Sequence, residues 1–392
     1  MRVCIFTDSF LPFTSGVTFA VLNQATEMSR RGHEVFIFRP RPPRRHTDGP
    51  LPPNIHLINV PFTLPAPNFP QLRLAIPTFW SSWRQLRRIN PDIVHINTEW
   101  GCGWEGLVAS RLLGKPVVGT FHTFFADPGY LKTIGLPPLK LIQWLMWRYS
   151  VFFFNRCRAV TSPSAAVQQS LVQQGLRRRP LVIPNGILAD ETPINRIRVR
   201  QLRRQHRIHG PAFVYVGRLS AEKSLDVVLR AFQIVARKRQ RCSMVLIGDG
   251  PHRPALENLA RELGIECRTM FLGHVDHDRL IQDRLPLMGD VFVTASKTEN
   301  QPMSILEAMT MGLPIIGARA KGLPELIDHR RNGLLFEPDQ HEQLARCMLW
   351  ITARRGRCRR LARRASRDAA HYRMDRVVDR LERLYHQTIN PQ

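Results

Sequence analysis

Short apolar runs alternate along the chain with longer segments in which apolar residues return at helical spacing. The first run is Val3–Thr7, the next is Glu34–Phe38, and the segment between them has helical apolar spacing from Val17 to Met28. Buried parallel strands are continuously apolar, whereas in a helix packed on one face the apolar residues return about every 3.6 residues. The opening of the chain therefore predicts a strand, a helix and a second strand, which together form one βαβ unit.

The alternation continues in two series, separated by an arginine-rich segment at residues 188–210 that we expect to connect two domains. Alternating strands and helices form parallel, doubly wound sheets. The expected fold class is therefore α/β, with two Rossmann-like domains at residues 1–185 and 190–370 facing each other across a cleft. The further strands expected are Asp92–Ile96, Pro116–Thr120, Ala159–Thr161, Leu181–Ile183, Phe213–Val216, Ser243–Ile247, Thr269–Leu272, Val291–Ala295 and Pro314–Ile316.

Length and cysteine spacing agree with a two-domain protein from a reducing compartment. The chain has 392 residues, and one hydrophobic core seldom serves more than about 300. The seven cysteines lack the Cys-x-x-Cys spacing and the histidine partners of a zinc site, so we expect reduced thiols and no metal. The chain begins without the apolar stretch of a signal peptide, and a cytoplasmic location is expected.

The net charge is unusual. The chain carries 57 Lys and Arg against 31 Asp and Glu, a formal charge of +26. Such a charge favours anionic lipid, nucleic acid or phosphorylated substrates, although a solvated basic surface explains it equally well. The basic runs Arg177–Arg179 and Arg354–Arg364 lack the interleaved aromatic residues that stack on bases, so no specific nucleic-acid partner is expected.

Aromatic and basic residues occur together in Leu141–Phe154, which includes Trp144, Trp147, Tyr149 and Arg148. This combination suits the surface of an anionic membrane, and the protein would then bind peripherally to the inner face of the cell membrane. The alternative is a helix buried mostly within the first domain. The sequence leaves both interpretations open.

Polar residues that follow the expected strands are the candidates for ligand binding, because open parallel sheets bind ligands beyond the carboxyl ends of their strands. Gly16 lets the backbone approach a phosphate at a helix start, or simply forms a tight turn. His122 suits contact with a substrate, or is a buried, hydrogen-bonded histidine. Arg218 and Lys223 follow one strand, and two cations there suit a diphosphate rather than an ordinary surface loop.

The segment from Glu299 to Glu307 is the strongest candidate. It follows an expected strand and runs into a helix, so one carboxylate can face a sugar while the other reaches a ribose. The amides of Met303 and Ser304 at the helix start suit a phosphate. Taken alone, Glu307 is better explained as a first-turn acid that favours the helix dipole.

Together these motifs resemble the retaining glycosyltransferases of family 4, in particular the subset of glucosyl, mannosyl and sulfoquinovosyl transferases that makes glycolipids. The resemblance covers nearly the whole chain and implies the GT-B fold. It implies an acceptor-side first domain, a second domain that binds the nucleotide sugar, and a final helix at 372–389 packed on the first. The motifs are Asp8-Ser-Phe-Leu-Pro, Ser15-Gly-Val, Arg31-Gly-His-Glu-Val, Pro91-Asp-Ile-Val-His, Gly119-Thr-Phe-His-Thr, Ser162-Pro-Ser, Ile183-Pro-Asn-Gly, Gly217-Arg-Leu-Ser-Ala-Glu-Lys, Gly248-Asp-Gly-Pro and Glu299-x7-Glu307-Ala-Met-x-x-Gly312-Leu-Pro.

The resemblance also implies a role for each candidate residue, and no cofactor or metal. The donor's phosphates, its sugar and its base would each have their own contacts. By position, these are Arg218 and Lys223 for the diphosphate and the departing nucleotide, Glu299 for the sugar hydroxyls, Glu307 for the ribose, Met303 and Ser304 for a phosphate, His122 near the anomeric centre, Gly16 over the phosphates, and Val275 within Gly273–Asp276 for the base through backbone atoms.

The implied activity is transfer of a hexosyl group from a UDP- or GDP-linked sugar to a hydroxyl of a lipid or glycan, with retention of configuration. In this mechanism the departing phosphate acts as the base, and the protein contributes mainly electrostatic stabilisation. Ser15-Gly16 replaces the two glycines of many relatives, and Asn-Gln-Pro-Met follows Glu299, so the donor sugar stays open. The alternatives are a sugar-nucleotide epimerase, which needs no acceptor, and a non-enzymatic polyanion-binding protein.

Overall fold

The computed structural model describes residues 1–43, 46, 48–66, 69–128, 131, 135–188 and 194–390. The chain falls into two units, of which unit 1 comprises Met1–Ala189 with Tyr372–Gln392 and unit 2 comprises Asp190–His371. Residue 190, at which we expected the second domain to begin, lies outside the described residues.

Unit 1 is built on a parallel sheet with helices on both faces, and a short antiparallel pair of strands extends from it. Its elements are β1 (Arg2–Phe6), α1 (Gly16–Arg30), β2 (Glu34–Pro40), β3 (Ile55–Val60), β4 (Thr63–Ala66), β5 (Phe69–Ala75), α2 (Trp80–Ile89), β6 (Ile93–Ile96), α3 (Gly101–Leu112), β7 (Val117–Thr120), α4 (Lys140–Phe154), β8 (Ala159–Ser162), α5 (Ala165–Gln173), β9 (Leu181–Val182) and α14 (Met374–Ile389). The parallel sheet has the order β3-β2-β1-β6-β7-β8-β9, and β4 pairs with β5.

The final helix α14 completes the core on one face of this sheet. Val377, Val378 and Leu381 are buried there, against Val21 and Met28 of α1. Apolar residues spaced three and four apart lie on one face of a helix, which explains why this segment folds as a helix and packs on the sheet.

Unit 2 repeats the same plan with six parallel strands in the order β12-β11-β10-β13-β14-β15. Its elements are α6 (Arg196–Gln205), β10 (Ala212–Val216), α7 (Leu225–Lys238), β11 (Ser243–Ile247), α8 (Arg253–Glu262), β12 (Thr269–Gly273), α9 (His277–Gln282), β13 (Val291–Thr294), α10 (Met303–Thr310), β14 (Ile315–Ala318), α11 (Leu323–Leu326), β15 (Gly333–Phe336), α12 (His341–Thr352) and α13 (Arg355–Ala369). The order reverses between β10 and β13, and a doubly wound sheet binds ligands at such a switch point. The expected α/β class with two doubly wound sheets is confirmed.

Two helices differ in extent from what the sequence predicts, because of local hydrogen bonds. Part of the segment expected to be a connection, residues 188–210, forms α6, because the Asn195 side chain accepts hydrogen bonds from two N–H groups of its first turn and Leu202 is buried. The apolar spacing predicts a helix over Gly106–Leu113, and α3 begins five residues earlier, at Gly101, since the carboxylate of Asp8 accepts the Cys102 N–H at 3.1 Å.

Candidate functional site

The switch point of unit 2 brings together two of the predicted site residues. Lys223 lies in the turn after β10, and Glu299 lies in the loop after the neighbouring strand β13. The Nζ of Lys223 donates a hydrogen bond to Oε1 of Glu299 at 2.6 Å, and both side chains are about one-fifth exposed. A cation and a carboxylate are therefore fixed in contact at the carboxyl ends of adjacent strands.

The turn after β10 is shaped by backbone conformations that few residues adopt. Gly217 has φ of 151° and Ser224 has φ of 50°. Between them, the hydroxyl of Tyr215 donates to the carbonyl of Arg218 at 3.1 Å. Burial raises the pKa of Tyr215 well above its ordinary value, Glu299 adds to this, and the cation of Arg218 opposes it. Arg218 and Glu299 therefore both act electrostatically on the hydroxyl of Tyr215.

Two glycines in the next turn allow the backbone of this edge to pack closely. A Cβ on Gly248 would lie 1.9 Å from the carbonyl oxygen of Gly217, and one on Gly250 would lie 2.4 Å from that of Leu219. The N–H of Leu219 donates to the carbonyl of Asp249 at 3.0 Å. Gly248 and Gly250 are therefore required so that the turn carrying Arg218 can pack against this one.

Helix α10 presents its first turn and one carboxylate at the same edge. It begins at Met303 without a side-chain cap, so the N–H groups of Met303 and Ser304 have no acceptor within the helix. The carboxylate of Glu307 lies 2.8 Å from Nε2 of His277, which begins α9 two residues after Val275. Sequence reasoning missed His277, because its partner lies 30 residues further along the chain.

In unit 1, His122 follows β7 and is held by a residue that sequence reasoning missed. Its Nε2 donates to Oδ1 of Asn97, which follows the adjacent strand β6, at 2.8 Å. Burial lowers the pKa of His122 to about 4, so the ring is neutral at physiological pH. A neutral imidazole acts as a hydrogen-bonding group rather than as a cation.

Gly16 begins α1, at the carboxyl end of β1 in the same sheet. The hydroxyl of Ser15 accepts the Thr18 N–H at 3.2 Å and so caps this helix. The residue that departs from the two-glycine pattern thus has a structural role of its own. Gly16 and His122 both lie at the carboxyl edge of the unit 1 sheet.

A buried polar network joins this edge to the last helix. The Tyr385 hydroxyl of α14 lies 2.6 Å from Nδ1 of His95, and Nε2 of His95 lies 2.6 Å from Oγ1 of Thr120. Burial lowers the pKa of His95 to about 3, so one ring nitrogen donates and the other accepts. Gln24 Nε2 can only donate and lies 3.2 Å from Nδ1 of His95, so Nδ1 is the acceptor and the Tyr385 hydroxyl donates to it. The network fixes the strand end from which His122 extends.

Helix α4 is neither wholly exposed nor wholly buried. Its last turn is anchored, since Ser150 donates to Oε1 of Glu99 at 2.9 Å and Phe153 and Phe154 are fully buried. Its first turns are open, with Leu141 64% and Trp144 56% exposed. Within the described part of the chain, no helix combines the length and the apolar composition that a bilayer span requires.

Two family models match the chain, one to each half. The model described as Glycosyltransferase Family 4 matches residues 14–191, and the model described as Glycosyl transferases group 1 matches residues 199–368. Every predicted site residue lies within one of these two segments.

Individual relatives agree with the family models. The chain is 31% identical to the GDP-mannose-dependent alpha-mannosyltransferase of Mycobacterium tuberculosis, across 87% of this chain and 85% of the relative. It is 29% identical to the Alpha-monoglucosyldiacylglycerol synthase of Streptococcus pneumoniae, across 86% and 75%. The crystal structure of Anabaena Alr3699/HepE in complex with UDP-glucose has a TM-score of 0.77 at 20% identity, across 99% of this chain and 100% of that one. The chain therefore has the GT-B fold and belongs to glycosyltransferase family 4, whose members transfer hexosyl groups from nucleotide sugars.

Proposed function

We propose that unit 2 binds the donor, a UDP- or GDP-linked hexose, at the switch point between β10 and β13. The observation that supports this most is the contact between Lys223 and Glu299, because a donor needs a cation for its diphosphate and a carboxylate for its sugar hydroxyls side by side. Arg218 supplies a second cation. The N–H groups of Met303 and Ser304 supply neutral donors for a phosphate oxygen.

The other contacts of the donor follow from the same edge. Glu307 binds the ribose hydroxyls, and its contact with His277 holds the carboxylate in place for them. The backbone near Val275 contacts the base. Gly16 allows its loop to approach the phosphates.

The proposed reaction retains the anomeric configuration. The bond from the anomeric carbon to the diphosphate oxygen breaks, and the acceptor oxygen bonds to the same face while its proton passes to the departing phosphate. Arg218 and Lys223 stabilise the charge that develops on the leaving group, and such preorganised donors contribute about 10²–10³-fold in rate each. His122 takes part through a hydrogen bond to the sugar, since its ring is neutral.

The proposed acceptor is a lipid, reached by peripheral binding to an anionic membrane through α4. The exposed part of this helix presents Leu141, Trp144 and Leu145 beside the exposed cations Lys140 and Arg148. No Asp or Glu occurs between Lys140 and Phe154. An exposed apolar face with cations and without acids suits the surface of an anionic bilayer.

The donor assignment is tested by thermal unfolding with UDP, GDP, ADP, UDP-glucose and GDP-mannose. A ligand that binds only the folded state raises the melting temperature, so nucleotides of one base should raise it and the others should not. Lys223→Ala should abolish most of that shift while changing the melting temperature of the unliganded protein little. An equal shift in Lys223→Ala and in the wild type would place the donor elsewhere, and no shift with any nucleotide would refute donor binding.

A further inference from the structure

A second group of cations lies at the other end of the strands in unit 1. A cavity of about 320 Å³ lies among the residues that precede β7 and β8, whereas His122 follows β7. The strands are parallel, so this cavity is at the amino edge of the sheet and His122 is at the carboxyl edge. Of the residues that the structure describes, no carboxylate lines the cavity, and the cations that line it are Arg111, Lys115, Arg156, Arg158 and Arg178.

These cations are held by neutral groups. Arg111 donates to the carbonyl of Arg156 at 3.0 Å, and Arg178 donates to the carbonyl of Arg158 at 2.7 Å. Lys115 donates to the side-chain oxygen of Asn90 at 2.6 Å. Among the described residues, none of the five cations lining the cavity forms an ion pair with a carboxylate. Their charges are therefore not neutralised by a carboxylate from the described part of the chain.

Such an arrangement favours a bound anion. Like charges around one cavity repel each other, and an anion placed among them relieves that repulsion. A guanidinium has five N–H donors in a planar fork that fits phosphate oxygens. Arg111 and Arg178 each donate one of these hydrogen bonds to a backbone carbonyl of the cavity. Arg156 is fixed in orientation, since its Cζ lies 3.3 Å from the ring centroid of Phe152.

We propose that this cavity is a second anion site, which binds a phosphate group other than that of the sugar donor. Small-molecule pockets have volumes of about 300–1,000 Å³, and this cavity lies at the lower end of that range. It therefore accommodates a phosphate or a diphosphate with a small substituent. The group belongs either to a free phosphorylated molecule or to the headgroup of a phospholipid. Both sources present negatively charged phosphate oxygens to the arginines.

The test uses the whole protein and a pair of matched charge variants. Arg111→Gln with Arg158→Gln removes two cations of the cavity, and Arg359→Gln with Arg363→Gln removes two exposed arginines of α13 in unit 2. Calorimetric titration with inorganic phosphate and with pyrophosphate, at constant ionic strength and with the donor nucleotide present at saturation to occupy the donor site, gives the affinities. Binding to a lipid headgroup is measured by co-sedimentation with vesicles that contain or lack phosphatidylglycerol.

We expect the cavity variant to weaken binding of phosphate, pyrophosphate or anionic vesicles by at least about tenfold, and the α13 variant to leave it unchanged. A loss with inorganic phosphate identifies a free phosphate as sufficient, and a loss confined to vesicles identifies a lipid headgroup. An equal effect of both variants, or of neither, would overturn the proposal. The shift in melting temperature with the donor nucleotide should persist in the cavity variant, so the two sites are tested separately.

Discussion

At the scale of single residues, the loop that presents Glu299 depends on the absence of a side chain at Gly322. A Cβ there would lie 1.6 Å from the carbonyl oxygen of Asn300. The N–H of Gly322 also donates to the carbonyl of Glu299 at 3.1 Å. The position of the carboxylate is therefore set by a backbone contact as well as by Lys223.

Gly322→Ala should displace this loop and weaken binding of the donor nucleotide by at least about tenfold, with a loss of about 1–3 kcal/mol in stability from overpacking. Gly356→Ala, at the second residue of α13, is the matched control, because no described atom outside its own helix and chain neighbours lies within 4 Å of the added Cβ. There, alanine should raise the stability by less than about 0.5 kcal/mol, since the full gain of about 0.5–1 kcal/mol applies in the middle of a helix. Both are measured by nucleotide titration and thermal unfolding, and unchanged nucleotide affinity in Gly322→Ala would contradict this role.

Sequence reasoning could find the residues that follow strands but not the partners that hold them. Lys223 and Glu299 were predictable as candidates because each follows an apolar run, and their contact follows from the adjacency of β10 and β13. His277 and Asn97 were not, since a single His or Asn in a loop has no spacing that distinguishes it. Their roles depend on tertiary contacts with Glu307 and His122.

At the scale of elements, α4 shows why one sequence pattern supported two interpretations. Its last turn is buried and its first turns are exposed, so aromatic residues serve the core at one end and face outward at the other. Trp147 packs 5.9 Å from Phe121 between ring centroids, whereas Trp144 is 56% exposed. Composition alone could not separate them, because apolar residues occur on every face of this helix.

If the exposed face of α4 binds membrane, Leu141→Ser with Leu145→Ser should weaken binding to anionic vesicles by at least about tenfold, since burying one leucine contributes about 1.5–3 kcal/mol. Ile194→Ser with Ile197→Ser is the control, because both isoleucines are exposed in unit 2. Flotation with vesicles at low salt measures the binding. Equal flotation of the two variants would show that α4 is not the binding element.

At the scale of the whole molecule, the alternation of strands and helices was sufficient to predict two doubly wound sheets. Two of the helices that sequence reasoning missed, α6 and α13, are rich in arginine. Each buries only a narrow apolar face, formed by Leu202 in α6 and by Leu361, Ala365 and Ala369 in α13. Because each sequence has so few apolar positions, it looks like that of a connecting segment. The helices can be identified only from their packing in the structure.

Transfer of a labelled hexose to lipid tests the proposed reaction. The protein is incubated with UDP-glucose or GDP-mannose and with anionic vesicles that contain diacylglycerol, and both labelled lipid and released nucleoside diphosphate are measured. One donor should give both products in equal amounts, Glu299→Gln should lower the rate about 100-fold or more, and Glu342→Gln, an exposed acid of α12, should not. Transfer by Glu299→Gln at the wild-type rate would contradict the proposed donor site, and no transfer from either donor would contradict the proposed reaction.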